Sequence, residues 1–150
     1  MADVVSPEMR SRMMSGIRGK NTKPEMIVRK GLHARGFRYI LHDKRLPGKP
    51  DLVLPKYRAV IFVHGCFWHG HNCHLFKWPK TRKDFWRQKI ERNRFNDKKA
   101  AMALSAVDWR IGVVWECAVR SKNPEDLTAI IQSLTSWICS EGKKIEIRGC

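Results

Sequence analysis

Nine consecutive residues near the middle of the chain, 66–74, contain five side chains that are common metal ligands. They are Cys66, His69, His71, Cys73 and His74. A disulfide framework explains this run poorly, because the chain has five cysteines, an odd number, and the features of an intracellular protein. Structural zinc is bound by a closed tetrahedron of thiolates and imidazoles. The run therefore predicts a zinc site, held in an irregular loop over residues 64–80.

A single loop can bring three of these ligands, Cys66, His71 and Cys73, to one ion, so the fourth must come from elsewhere. Cys117 lies just beyond a continuous apolar run and would connect that run to the loop. His69 and His74 are local rivals for this position. The plainer alternative, a buried thiol near surface histidines, explains so dense a cluster poorly.

The distribution of charge indicates a polyanionic partner. The 150 residues include 30 Lys and Arg against 14 Asp and Glu, a formal net charge of +16. Residues 1–50 and 51–100 each contain 12 basic and 4 acidic side chains, whereas residues 101–150 contain 6 of each. A basic two-thirds beside a neutral third favours an oriented nucleic-acid-binding face. Acidic lipid or acidic protein also matches the charge, but no basic amphipathic helix with a large apolar face is evident.

Membrane and secreted proteins are both disfavoured by the apolar pattern. The longest unbroken apolar runs have five residues, against the ~20 needed to cross a bilayer. The first ten residues lack the basic-then-apolar layout of a signal peptide. We therefore expect an intracellular protein with no membrane association.

Three helices are predicted from their start signals and apolar stripes, over residues 23–35, 82–106 and 124–140. Thr22 and Glu25 form a capping box for the first helix. Thr81 and Asp84 are interpreted as the same signal for the second helix, which is strongly basic. Asn123, followed by proline and two acids, is typical of the start of a helix and predicts the third.

Four strands are predicted, over residues 37–41, 51–54, 59–63 and 109–115. The last is apolar almost throughout, which is typical of a central strand. The resulting order, α-β-β-β-α-β-α, predicts one α/β domain over residues 1–150, with a mixed sheet and helices on its faces. Within it we expect a basic arm over residues 1–21 and a core over 22–141. The two remaining cysteines, Cys139 and Cys150, are assigned no function.

A Pro-Asp pair ends at Asp51, immediately before one strand and shortly before a second. Nucleases of the PD-(D/E)xK superfamily have an Asp in this position, where its carboxylate holds Mg²⁺ beside a phosphate. Their pattern requires Asp/Glu-x-Lys on the next strand, but residues 62–64 here are Phe-Val-His. An ordinary turn before a strand is therefore the alternative. Glu25, His64 and His69 favour the nuclease, because metal ions orient water and a histidine serves as general base near neutral pH.

Three aromatic side chains stand out from the predicted core. Phe67 and Trp68 belong to the metal loop, and Trp86 lies early in the basic helix. The tryptophans at 109, 115 and 137 are expected in the core or at helix contacts. Flat apolar rings surrounded by positive charge stack on bases or wedge between base steps, and a mismatched pair lowers the energy of unstacking.

The strings LPGKPDLVLPKYRAVIFVHGCFWHGHNC, TRKDFWRQKI and VVWECAVR resemble the very short patch repair endonucleases. These bacterial enzymes nick DNA at T:G mismatches left by deamination of 5-methylcytosine. The resemblance extends from about residue 10 to residue 141. It implies a restriction-endonuclease-like fold with a structural zinc site, and this family shares the departure from Asp/Glu-x-Lys.

The resemblance also implies roles for individual residues. Asp51 would bridge two Mg²⁺ ions at the scissile phosphate, and the backbone carbonyl of Val63 would be a further ligand. His69 would be the general base, and His64 and Glu25 would bind the hydration shell of the ions. One zinc ion would be held by Cys66, His71, Cys73 and Cys117.

DNA contacts and partners are implied in the same way. The rings that intercalate beside the mismatch would be Phe67, Trp68 and Trp86. Lys89 and Asn93 would touch base edges, and Met14 and Ile17 of the arm would approach from the minor groove. The implied setting is double-stranded DNA in the bacterial cytoplasm, associated with the nucleoid. We expect a monomer, because an asymmetric mismatch does not call for two-fold symmetry. A mismatch-repair matchmaker ATPase is the implied protein partner.

Two rival functions remain at this point. The chain could nick at a different mismatch or sequence context, or it could be a zinc-stabilised DNA-binding module without catalysis. A binding module has no need of Asp51 and His69 together, so these two residues distinguish the classes.

Overall fold

The computed structural model describes residues 21–120 and 122–149. Met14, Ile17 and Cys150 lie outside the described residues. The helices are α1 (Lys23–Ala34), α2 (Lys83–Ala106), α3 (Glu116–Val119) and α4 (Pro124–Ile138). The strands are β1 (Ile40–Leu41), β2 (Leu52–Leu54), β3 (Ala59–His64), β4 (Arg110–Trp115) and β5 (Lys144–Ile147). A 3₁₀ turn, Pro55–Tyr57, connects β2 to β3.

The strands form one mixed sheet in the order β1-β2-β3-β4-β5. The pairs β1–β2 and β2–β3 are antiparallel, whereas β3–β4 and β4–β5 are parallel. β3 and β4 pair along their whole length, from Ala59 opposite Arg110 to His64 opposite Trp115. The carboxyl ends of these two strands therefore meet at one edge of the sheet. This places the loop after β3 beside Cys117, which follows β4.

Helices cover both faces of the sheet. On one face, α1 and α4 pack on the strands through side chains that are almost fully buried, such as Leu32 and Leu134. On the other face, Leu104 of α2 packs against Val53 and Phe62. Neighbouring residues of β2 point to opposite sides of the sheet, as the two-residue period of a strand requires. The predicted α/β domain with a mixed sheet and flanking helices is confirmed.

Two of the three predicted helix starts are confirmed. Thr22 Oγ1 accepts a hydrogen bond from the Glu25 N–H (3.4 Å), and the Glu25 carboxylate accepts one from the Asn21 N–H (3.2 Å). Asn123 caps α4 by accepting from the Asp126 N–H (2.8 Å). These contacts satisfy amide groups that have no partner within the helix.

The prediction that Thr81 caps α2 was wrong. The capping residue is Arg82, whose backbone is left-handed (φ 52°), and no side chain among the described residues caps this end. Asp84 nevertheless lies in the first turn of α2, where its negative charge interacts favourably with the helix dipole.

Two further elements were not predicted. β5 is a short edge strand in which exposed and half-buried residues alternate, and it extends the sheet beyond residue 141. Its pattern covers four residues and includes two charged ones, which gives a weak strand signal. The four-residue α3 directly follows β4 and contains Cys117. Within the described ranges, no helix has both the length and the apolar character needed to span a bilayer.

Candidate active site and metal cluster

A cavity of about 420 Å³ opens between the start of α1, the β2–β3 pair and α2. Predicted site residues from four different segments line it: Glu25, Asp51, Val63, His64, Trp68 and His69. Asp97 of α2 and Glu116 of α3 also line it, although neither was predicted. The fold therefore brings the predicted catalytic residues together around one opening.

Asp51 is fixed at the entrance to β2. Its Oδ2 accepts a hydrogen bond of 2.7 Å from the Val63 N–H, which brings the Val63 backbone against the carboxylate. Burial raises the pKa of Asp51 to about 7; the Val63 hydrogen bond opposes this rise, and the nearby Glu25 carboxylate adds to it. A desolvated carboxylate of this kind is strongly stabilised by an adjacent cation.

Glu25 reaches the same region from the first turn of α1 and is almost completely buried, at 1% exposure. Its Oε2 accepts hydrogen bonds from Arg29 Nη1 (3.3 Å) and lies 2.9 Å from His42 Nε2. The same His42 nitrogen is 3.9 Å from Asp51 Oδ1. One donor atom each from Glu25, His42 and Asp51 therefore lies within 4.8 Å of the others.

The chemistry of these donors suits a divalent ion. Mg²⁺ prefers oxygen ligands and is usually held by one or two carboxylates together with waters and substrate phosphates. The buried Glu25 carboxylate and the half-buried Asp51 carboxylate both line the cavity, and a DNA phosphate would complete the set. The residues present fit the ion that the sequence led us to expect.

A second group contains His64, His69 and Asp97. The rings of His64 and His69 are stacked, with centroids 3.9 Å apart. His69 Nδ1 lies 2.5 Å from Asp97 Oδ2 on α2. A histidine whose Nδ1–H is donated to a carboxylate presents a free Nε2 as proton acceptor, which is the arrangement of a general base.

His64 is suited to a different task. It is 8% exposed, and burial together with the neighbouring His69 and His71 holds its pKa well below the usual range. The ring is therefore neutral at pH 7. A neutral, buried imidazole stacked on His69 fixes the plane of that ring and offers hydrogen-bonding atoms toward the cavity.

The four predicted zinc ligands form one cluster: Cys66, His71, Cys73 and Cys117. His71 Nδ1 lies 3.4 Å from Cys66 Sγ and 3.6 Å from Cys117 Sγ, and the four donor atoms are all within 4.8 Å of one another. Cys117 is the fourth member, and neither loop histidine that competed with it belongs to the group. Three thiols and one imidazole are a donor set typical of structural zinc.

Burial of the cluster adds a second argument for a metal. Burial raises the pKa of the Cys66 thiol, so a nearby cation is needed to keep it as thiolate near neutral pH. The backbone N–H groups of Cys117 and Gly149 donate to Cys66 Sγ and Cys117 Sγ (3.4 and 3.2 Å), which is favourable for thiolates. His71 Nε2 is buried and has no hydrogen-bond partner in the part of the chain that the structure describes.

The loop between the cluster and the cavity is held on several sides. His71 stacks on Trp115 at the end of β4, with centroids 4.0 Å apart and ring planes 6° from parallel. The Cys66 N–H donates to Glu116 Oε1 at 3.2 Å. Gly70 has a left-handed backbone (φ 60°), and a Cβ there would meet Ile90 of α2 at 2.7 Å. His69 is thus held between two anchored neighbours.

The three predicted wedge residues are also brought together. Ring centroids are 5.2 Å apart for Phe67 and Trp68, 5.3 Å for Phe67 and Trp86, and 5.6 Å for the two tryptophans. All three side chains are half-buried. Asn93 Nδ2 donates to the Trp68 carbonyl oxygen at 2.7 Å, so this amide orients the aromatic loop. Lys89 is half-buried on α2, between Trp86 and Asn93.

The long helix also carries much of the positive charge. Arg82 is exposed immediately before α2, and six basic side chains are exposed along it: Lys83, Arg87, Arg92, Arg94, Lys98 and Lys99. Exposed basic groups of this kind are expected on a surface that binds a phosphate backbone.

Sequence reasoning missed His42 and Asp97. Asp97 lies four residues after Asn93 on the predicted helix, so helical spacing placed it on the face that carries Asn93. Predicting a role for His42 would have required the register of β1 and β2. Ile40 pairs with Val53 and Leu41 with Leu52, so position 42 falls opposite Asp51. The first signal was readable from the sequence, whereas the second depended on knowing which residues pair.

Comparison with known proteins gives a consistent result. A family profile described as DNA mismatch endonuclease Vsr matches residues 2–75. The DNA mismatch endonuclease Vsr of Escherichia coli is 42% identical over 147 residues, covering 98% of this chain and 94% of the relative. The type II nicking enzyme V.XorIIP of Xanthomonas oryzae is 53% identical over 117 residues, covering 78% and 86%. V.NmeAIP of Neisseria meningitidis, another type II nicking enzyme, is 47% identical over 122 residues, covering 81% and 87%.

Proposed function

This chain belongs to the Vsr family of DNA mismatch endonucleases, and on that premise we propose that it nicks one strand of double-stranded DNA beside the T of a T:G mismatch. The observation that carries the proposal is a single cavity lined by Asp51, Glu25 and the His69–Asp97 pair. Three half-buried aromatic rings lie together, and one of them, Trp68, lines the same cavity. We assign these rings to the recognition of a weakened base pair.

We assign Asp51 and the backbone carbonyl of Val63 to hold two Mg²⁺ ions at the scissile phosphate. Ions bound there would supply positive charge that stabilises the developing charge on the phosphate and lowers the pKa of water. Asp51 is suited to this role because burial raises the pKa of its carboxyl group despite the Val63 hydrogen bond, so that a nearby cation would stabilise its charged form. Glu25 and His64 orient the water molecules around the ions, since both are buried and face the cavity.

His69 is the general base in this mechanism. Its Nε2 accepts a proton from the attacking water while Nδ1 stays hydrogen-bonded to Asp97. Asp97 is a positioning residue: it fixes the tautomer and orientation of the imidazole and stabilises the imidazolium that forms. General base catalysis of this kind contributes roughly 10²- to 10⁴-fold to a rate.

Mismatch recognition is assigned to the aromatic cluster. Phe67, Trp68 and Trp86 enter the base stack beside the T:G pair, at a cost of a few kcal/mol per unstacked step in intact duplex and less at a mismatch. Lys89 and Asn93 touch base edges from the adjacent face of α2. Met14 and Ile17 of the basic arm approach from the minor groove.

The Cys66–His71–Cys73–Cys117 cluster is assigned one structural zinc ion. Its proposed role is indirect, because it holds the loop that carries both His69 and the aromatic residues against the end of β4. In this arrangement the base and the wedge keep fixed positions relative to Asp51.

The remaining parts of the proposal concern the setting. We propose a restriction-endonuclease-like fold that acts as a monomer, because an asymmetric mismatch does not require two-fold symmetry. The cytoplasm at the bacterial nucleoid is the proposed location, and a mismatch-repair matchmaker ATPase is the proposed partner. A DNA-binding module without catalysis would have no use for the His69–Asp97 pair. A nickase for another mismatch or context remains the main rival.

A nicking assay over a panel of mismatches in randomised flanking sequence tests this function. With Mg²⁺ we expect nicks in one strand of T:G duplexes and far fewer in fully paired DNA. Asp51→Ala should abolish nicking while leaving mismatch binding largely intact, with Asp84→Ala as the matched control. Equal cleavage of all mismatches would overturn the T:G assignment, and unchanged nicking by Asp51→Ala would overturn the mechanism.

A further inference from the structure

We propose that His42 is a third protein ligand of the divalent-ion site at Asp51, after the Asp51 carboxylate and the Val63 carbonyl and beside Glu25, which contacts the hydration shell, and that its imidazole shifts the site toward Mn²⁺ and similar ions relative to Mg²⁺. The inference deepens the proposed function and rests on it, because it takes the ion site at Asp51 as given. His42 is not among the residues to which the sequence assigned a role.

The backbone places His42 directly beside Asp51. The β1–β2 register brings position 42 opposite position 51, and the His42 N–H donates to the Asp51 carbonyl oxygen at 3.1 Å. His42 also has a left-handed backbone (φ 47°), an uncommon conformation for a residue with a side chain. The imidazole is therefore attached at the ion site by a fixed segment of the sheet.

The side chain lies between the two carboxylates. Its Nε2 is 2.9 Å from Glu25 Oε2 and 3.9 Å from Asp51 Oδ1. The three side chains are 13%, 2% and 15% exposed for His42, Glu25 and Asp51, so their donor atoms are largely removed from bulk water. The two carboxylates line the cavity, which leaves the group open on the side where the phosphate would bind.

A purely structural role for His42 explains only part of this arrangement. A histidine that served to orient Glu25 would need the single hydrogen bond to Oε2, and Arg29 already contacts that oxygen at 3.3 Å. The same nitrogen also approaches Asp51, so all three donors fall within 4.8 Å of one another. That convergence is what a shared ion requires.

The ligand preferences of Mn²⁺ and Mg²⁺ predict how His42 changes the affinity of the site for each ion. Carboxylate, carbonyl and water ligands suit Mg²⁺ and Mn²⁺, whereas imidazole suits transition-metal ions and is a poor ligand for Mg²⁺. A site that combines the Asp51 carboxylate with one imidazole should therefore bind Mn²⁺ more tightly than the same site without the imidazole. Its affinity for Mg²⁺ should depend much less on His42.

The test is Mn²⁺ binding to the zinc-containing protein without DNA, followed by electron paramagnetic resonance. We expect pulsed spectra of the wild type to show ¹⁴N coupling from a bound imidazole. In His42→Gln this coupling should be lost and Mn²⁺ affinity should fall at least roughly tenfold, the loss that even an outer partner of a ligand can cause. Mg²⁺ affinity, measured by competition, should change less. His33→Gln, at an exposed position on α1, is the matched control and should match the wild type.

Two results would overturn the inference. The first is wild-type protein that binds Mn²⁺ without ¹⁴N coupling. This result would overturn the inference whether or not His42→Gln folds, because it needs no variant. An unchanged coupling in a folded His42→Gln protein, with normal zinc content and thermal stability, would assign the signal to another histidine. Asp51→Asn distinguishes a failure of this inference from a failure of the proposed function. If Mn²⁺ binding survives that change, the assignment of the ion site to Asp51 is wrong. If binding is lost there but His42→Gln behaves as wild type, only the role of His42 is wrong.

Discussion

His69 Nδ1 and Asp97 Oδ2 lie 2.5 Å apart, although 28 positions separate the two residues in the chain. The contact joins the metal-cluster loop to the middle of α2, at the edge of the cavity. A carboxylate in this position determines which ring nitrogen of His69 is free to accept a proton.

Asp97→Asn tests that relationship. The amide keeps the size of the side chain but removes its charge and favours the wrong tautomer of His69, so nicking should slow roughly 10²- to 10⁴-fold. Single-turnover nicking of a T:G duplex measures the rate, and gel-shift titration should show nearly unchanged DNA binding. Asp84→Asn, an exposed acid on the same helix, is the control. A nicking rate within threefold of the wild type would remove Asp97 from the mechanism.

The raised pKa of Asp51 predicts a pH dependence of stability in protein free of divalent ions at this site. Between about pH 4 and pH 7 the folded protein retains a proton on Asp51 that the unfolded chain has released. Stability therefore falls as the pH rises through this window, and the loss is complete above about pH 7. Its size is on the order of a few kcal/mol, since each pKa unit corresponds to about 1.4 kcal/mol.

Asp51→Asn removes this titration and should be more stable than the wild type at pH 8, with little difference near pH 4. Urea unfolding at both pH values measures the effect. Added Mg²⁺ should reduce the difference at pH 8, because the ion stabilises only the wild type. Equal stability of the two proteins at pH 8 would show that Asp51 is not desolvated in solution.

Cys73→Ser tests the zinc assignment. Loss of one thiolate from the cluster should lower the zinc content from one ion per chain and reduce thermal stability, because binding energy at such a site contributes to folding. Elemental analysis and thermal unfolding measure the two effects. Cys139→Ser, at an exposed cysteine outside the cluster, should behave as the wild type. Wild-type protein purified without any zinc would contradict the assignment directly.

Trp68→Ala tests the wedge. Removal of one stacking ring should weaken binding to T:G duplex by roughly 1–3 kcal/mol and affect paired duplex much less, so the ratio of the two affinities should fall. Fluorescence anisotropy with both duplexes gives this ratio. Met102→Ala removes an exposed apolar side chain farther along α2 and serves as the control. An equal loss on both duplexes would indicate general destabilisation instead of lost discrimination.

The features that depend on local chemistry were predictable from the sequence. The cap at Thr22 follows from one side chain and one nearby amide, and the structure confirms it. The Cys66–His71–Cys73 group comes from a single loop. The position of Cys117 after an apolar run made it a candidate for the fourth ligand, and the resemblance selected it over the rival histidines. Asp51 and Glu25 were predicted on separate elements, and in the structure both line one cavity.

The features that depend on pairing or packing were not predictable in the same way. His42 reaches Asp51 only because of the β1–β2 register, and β5 gains its strand conformation from pairing with β4. Thr81 has the residue type of a cap, but the left-handed backbone at Arg82 starts α2 one position later. For His42 and β5, pairing with another segment outweighs the local signal.

The metal site that Cys66 and Cys117 share also constrains the chain between them. The two residues are 51 positions apart, and all of α2 lies between them. Zinc bound at both would close this segment into a ring, which lowers the entropy of the unfolded chain by an amount worth on the order of 4 kcal/mol. Trp86, Asn93 and Asp97 are all carried on that ring. Zinc at this site would therefore hold both ends of the segment that contains α2 at one point beside the sheet.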